Sequence, residues 1–124
     1  MKTRTELGAL VGKLVATLYR ENNKPVDSTM SNQIPANKWG HLYQYATGNT
    51  CGGRYPMHLI IENMTHYAKT DQTREAILSL AKDIADAKLS NVSFYRHGAV
   101  SVWMGEKFQA AFIDAMIKGV TEVR

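Results

Sequence analysis

The first stretch of the chain, MKTRTELGALVGKLVATLYREN, puts the tightest constraint on the fold. Thr3-x-x-Glu6 has the form of a capping box, in which each side chain satisfies a free backbone N–H at a helix start. Leu7, Leu10, Val11, Leu14 and Leu18 then recur at helical spacing on one face. The same segment carries Gly8 and Gly12 in its body. Each costs roughly 1 kcal/mol of helix propensity against alanine, and each allows another helix to approach closely. The spacing predicts an amphipathic helix over about 4–21.

Further helices follow by the same reasoning. Pro56, suited to a first helical position, precedes Met57, Ile60, Ile61, Met64 and Ala68, which predicts a helix over about 56–69. Thr70 or Asp71 caps a second over about 72–88, with Ile77, Leu80, Ala81 and Ile84 as its buried stripe. Their short connection suits an antiparallel pair. Phe108, Ala111, Phe112, Ala115 and Met116 mark another helix over about 106–119. The polar, proline-bearing run over 22–37 reads as a long loop. Residues 38–46 fit either a strand or a helix. Asn37 as cap and Gly48 past the end favour the helix.

The segment NVSFYRHGAVSVWMG carries the clearest β pattern. A three-residue turn at His97-Gly98-Ala99 pairs Phe94 with Val102. It gathers Val92, Phe94, Val100, Val102 and Met104 on one face, with Ser93, Tyr95, Ser101 and Trp103 on the other. A two-residue turn mixes polar and apolar residues on both faces, so burial favours the longer one. A lone hairpin is marginal in water and must lie on helices. The expected fold is therefore α+β: a single compact domain over 1–124, with four or five helices packed on a β-hairpin or small antiparallel sheet.

The chain's 124 residues suit one core, and the net charge of +4 permits anionic partners without requiring them. The cations are scattered, unlike a nucleic-acid arm or a polybasic membrane anchor. One cysteine makes no internal disulfide, which points to a reducing compartment and a cytoplasmic location. Glu6 and Lys13 interrupt the first apolar stretch, which argues against a leader or a membrane span.

TGNTCGGRYPMH offers the nearest thing to a catalytic loop. Cys51 near a helix start would favour its thiolate, and His97 at the hairpin tip would be its base. A cysteine beside a helix, then a histidine on a later hairpin, resembles papain-like cysteine peptidases in order alone. The residues around Cys51 match no peptidase signature, and no third polar partner follows. Gly52, Gly53 and Arg54 could instead cradle an anion, although turn geometry explains the glycines equally well. His58, Glu62 and His66 recur every four residues opposite an apolar stripe, which reads as a solvated face; no metal or other cofactor is expected. Trp39, Tyr43, Tyr95 and Trp103 exceed what a small core needs and suit an interaction surface.

These features lead to a non-enzymatic binding protein acting through macromolecular recognition, of the inhibitor or adaptor kind that phages and plasmids carry. Its expected partner is another protein. The alternatives are a small cysteine-dependent enzyme using Cys51 and His97, and a nucleic-acid-binding module that stacks bases on an aromatic face.

Overall fold

The computed structural model describes residues 1–22, 56–94 and 102–121. They form four helices: α1 (Arg4–Glu21), α2 (Met57–Tyr67), α3 (Asp71–Asp86) and α4 (Glu106–Thr121). Helix α1 touches all three others.

The capping box forms as its residues predict. Thr3 Oγ1 accepts from the Glu6 N–H at 3.1 Å, and the Thr3 N–H donates to Glu6 Oε1 at 2.9 Å. Helix α2 has Pro56 as N-cap and no side-chain cap. Its first N–H groups are satisfied from elsewhere, Met57 by the Val92 carbonyl and His58 by the Ser90 carbonyl. Those carbonyls arrive through the end of α3. There the Lys88 N–H reaches the Ala85 carbonyl and the Leu89 N–H reaches Ile84, a Schellman arrangement with Lys88 in the left-handed region at φ 60°. The turn ends α3 before Lys88 and puts Leu89 into the core.

Helices α1 and α4 run parallel, as the order of their contacts shows. Arg4 Nη1 donates to the Trp103 and Met104 carbonyls at 2.8 and 2.9 Å. Further along, a Cβ at Gly8 would lie 2.2 Å from the Phe108 carbonyl oxygen, and one at Gly12 2.2 Å from that of Phe112. Near the far end, a Cβ at Gly119 would meet Ala16 Cβ at 2.5 Å, and Arg20 Nη1 donates to the Gly119 carbonyl at 2.6 Å. Gly8, Gly12 and Ala16 thus form a small-residue seam at four-residue spacing, tied at both ends by arginines. The close approach anticipated from the two glycines is realised against α4.

The core beneath is continuous. Leu7, Val11, Leu18, Met57, Ile60, Met64, Ile77, Leu80, Ile84, Phe108, Phe112 and Met116 are buried, close to the stripes read from the sequence. Burial on α1 reaches further around than one stripe, taking in Val15, Ala16 and Tyr19. Phe94 meets Phe108 and Phe112 edge-on, with ring centroids at 5.5 and 5.2 Å. Such pairs contribute about 0.5–1.5 kcal/mol beyond their buried area.

The expected α+β class is overturned: the described residues are all-α, with no strand and no sheet. Among the described residues of this segment, 92–94 and 102–104, there are only isolated bridges, Ser93 with Pro56 in the antiparallel sense and Ser93 with Trp103 in the parallel sense. A tight hairpin is antiparallel by construction, because parallel pairing needs a long crossover. The expected Phe94–Val102 register is therefore not formed. Phe94 and Met104 are buried as the alternation predicts, but Val102 is 67% exposed. Each buried side chain packs individually against helices, and no ladder is required to cover it. The hairpin turn at 97–99, the loop over 22–37 and the segment over 38–46 lie outside the described residues. No helix among the described residues is long and apolar enough to cross a membrane.

Candidate functional site

Helices α1 and α3 also meet, in the opposite sense. Lys2 Nζ pairs with Asp83 Oδ2 at 3.1 Å at one end. At the other end, Glu21 reaches the start of α3. Its Oε1 accepts from the Lys69 N–H at 3.1 Å, and its Oε2 lies within hydrogen-bond reach of the Thr70 and Thr73 hydroxyls. Thr70 Oγ1 in turn accepts from the Thr73 N–H at 3.1 Å as N-cap. The Thr70 hydroxyl carries one proton and lies near two acceptors, Glu21 and Thr73, so it satisfies one at a time. A carboxylate at a helix N-terminus is favoured by the helix dipole as well as by these donors.

Between these two ties the helices leave a groove of about 590 Å³. Half-buried Leu10 supplies apolar surface, the buried Leu14 and Leu80 line it, Thr17 adds a hydroxyl, and Ala76 and Ser79 give the α3 wall small side chains. Thr17 Oγ1 donates back to the Lys13 carbonyl at 2.9 Å, so its proton is engaged within α1. Lys13 and Arg20 border the groove on the α1 side. Neither makes an ion pair with a carboxylate among the described residues. Arg20 instead binds the Gly119 carbonyl and lies 3.4 Å from Thr17 Oγ1. The acidic groups of the groove are already engaged, Asp83 by Lys2 and Glu21 by the start of α3. Three cations, Lys2, Lys13 and Arg20, line the groove against two carboxylates, Glu21 and Asp83, which leaves a surplus of one positive charge.

A second cavity, of about 610 Å³, lies where α1 and α4 begin, lined by Thr3, Arg4, Thr5, Gly105, Glu106 and Lys107 among others. Of its lining residues, Thr3 caps α1 together with Glu6, and the Arg4 guanidinium holds the Trp103 and Met104 carbonyls. Glu6 is held below the ordinary glutamate value, first by the Thr3 backbone N–H and then by the Thr3 side chain.

Of the residues singled out in the sequence, Trp39, Tyr43, Cys51, Gly52, Gly53, Arg54, Tyr95 and His97 lie outside the described residues. Trp103 is half-buried, and its carbonyl is bound by Arg4. His58 Nδ1 lies 2.9 Å from the Ser90 carbonyl, which can only accept, so this nitrogen carries the proton. No group of three or more His, Cys, Asp or Glu among the described residues could hold a metal ion.

The groove was not singled out in the sequence. Its signal is present there as two stripes, Leu10-Lys13-Thr17-Arg20 on α1 and Gln72-Ala76-Ser79-Asp83 on α3, each at spacings of three and four. No protein-family model matches this chain, nor does any curated protein or solved structure.

Proposed function

We propose that this chain is a non-enzymatic binding protein whose groove between α1 and α3 receives a segment of another protein. The supporting observation is the groove itself: half-buried Leu10 offers apolar surface between two polar ties, beside Lys13 and Arg20, which no described carboxylate pairs. Apolar surface with a polar margin is the usual composition of a recognition site. The expected inhibitor or adaptor role belongs to this reading, since both act by occupying a partner. The cysteine-enzyme and nucleic-acid readings rest mainly on Cys51, His97, Trp39, Tyr43 and Tyr95, which lie outside the described residues.

Position-dependent photo-crosslinking in extract of the native host tests the proposal. A photoreactive residue at Ser79, on the groove wall, should give an adduct with one identifiable protein. The same residue at Lys118, on the exposed side of α4, should not, and Ala76→Arg should remove the Ser79 adduct. Equal adducts from both positions, or none from Ser79, would rule the groove out.

A further inference from the structure

We infer that the outer face of α3 is a contact with a second copy of this chain, in which two α3 helices lie antiparallel and cross at Leu78. The inference does not rest on the groove. Ala76 and Asp83, which line the groove, stand about 140–160° around α3 from Leu78.

Leu78 is 65% exposed near the middle of α3, although the helix buries Ile77, Leu80 and Ile84 on its inner side. Asp71, Glu75, Leu78 and Lys82 are all exposed and fall within about 60° of one another around the helix. Glu75 lies about 4.5 Å before Leu78 along the axis, and Lys82 about 6 Å after it. Neither pairs with another charge among the described residues. The order acid, leucine, base makes this face complementary to itself. A two-fold axis at Leu78 reverses one helix against the other and keeps Glu75 and Lys82 on the same side of the seam. Leu78 then meets Leu78 of the second copy, Glu75 meets its Lys82, and Lys82 meets its Glu75. One closed, isologous contact thus gains both ion pairs. A parallel pairing would set Glu75 on Glu75 and Lys82 on Lys82, and like charges across an interface are costly. On the other side of the seam, Ala81 and Ala85 are small enough for the helices to come close. At the outer ends Asp71 faces Asp86 of the second copy, and Arg74, paired with Asp71 at 2.8 Å, offsets their repulsion. One helix face is a small interface, so the pair forms at high protein concentration rather than as an obligate dimer.

Sedimentation equilibrium of the purified full chain tests this, at concentrations up to about 1 mM. The average mass should rise with concentration toward twice that of the chain. Leu78→Ser should weaken the association about tenfold. Glu75→Lys and Lys82→Glu should each weaken it about tenfold as well, because each sets like charges together. An equimolar mixture of these two variants should associate again, and so should the double variant Glu75→Lys/Lys82→Glu. In dilute solution every variant should keep the parent's circular dichroism and thermal midpoint, because the three side chains are exposed. A chain that stays monomeric throughout the range, a dimer that ignores Leu78→Ser, or a double variant that stays apart would overturn the inference.

Discussion

Toward α4, helix α1 presents Gly8, Gly12 and Ala16, and backbone lies against backbone. Toward α3, it presents Leu10, Leu14 and Thr17, and a groove stays open between two polar ties. One helix thus makes two kinds of interface from side-chain size alone. Where the side chains are small, the axes can approach and the large residues of the partner fill the space around the seam. Where they are large and the facing residues are Ala76 and Ser79, closure is incomplete and Leu10 stays half-exposed. The closed side should carry the larger share of stability, and the open side is free to vary.

The largest test of this contrast is Phe112→Ala against Leu10→Ala. Phe112 is buried, belongs to the aromatic cluster and sits opposite Gly12. Its truncation should cost about 3–5 kcal/mol in urea denaturation, and truncation of half-exposed Leu10 less than about 1 kcal/mol. Similar losses at both sites would erase the distinction.

Next comes Gly12→Ala, where two effects oppose each other. Alanine gains about 1 kcal/mol of helix propensity. Its Cβ, however, would lie 2.2 Å from a backbone oxygen that cannot swing aside, and overpacking costs about 1–3 kcal/mol. A net loss of about 1–2 kcal/mol is expected. Ala76→Leu, in the groove, should stay within about 0.5 kcal/mol of the parent. A stabilised Gly12→Ala protein would mean that the seam is looser than described.

The polar ties at the groove's two ends should be unequal. Glu21→Gln weakens a charge-assisted network at the start of α3 and should cost about 1 kcal/mol. Lys2→Ala breaks a half-exposed pair with Asp83 and should cost a few tenths of a kcal/mol, shrinking at high salt. Equal costs would mean that the Glu21 network acts as an ordinary surface pair.

The smallest effect concerns the cap that starts both interfaces. Because Glu6 titrates below its unfolded value, the stabilisation it gives is fully present at neutral pH. It is lost as pH falls through the lowered folded value. NMR titration should find the Glu6 carboxyl below an ordinary glutamate, and Thr3→Ala should raise it only in part, because the Thr3 backbone N–H remains. An ordinary value in the parent protein would remove the capping box as a cause.

The helices were legible because each has a local signature. Thr3 and Glu6 placed the start of α1, Pro56 that of α2 to within one residue, and Thr70 or Asp71 that of α3, with Thr70 the cap, and the apolar spacings identified most of the core. Gly8 and Gly12 announced a close neighbour without naming it, since the partner is about a hundred residues away in the chain. The strand assignment failed for a related reason. Burial of Phe94 and Met104 comes from separate contacts with helices, which need no ladder, and it does not alternate, since Ser93 is buried beside Phe94 and Val102 is exposed. Lys88 concealed the end of α3, because a left-handed cap is normally announced by glycine. The groove was not legible, because its walls come from two helices whose facing sides only tertiary packing decides.

The parallel seam also bears on how the protein is made. Gly8 and Gly12 emerge from the ribosome about a hundred residues before Phe108 and Phe112. At about 5–20 residues per second this is a wait of roughly 5–20 s, during which the apolar sides of α1 have no α4 to cover them. Synthesis of the α4 segment, rather than formation of α1, sets the earliest moment at which this protein can close its core.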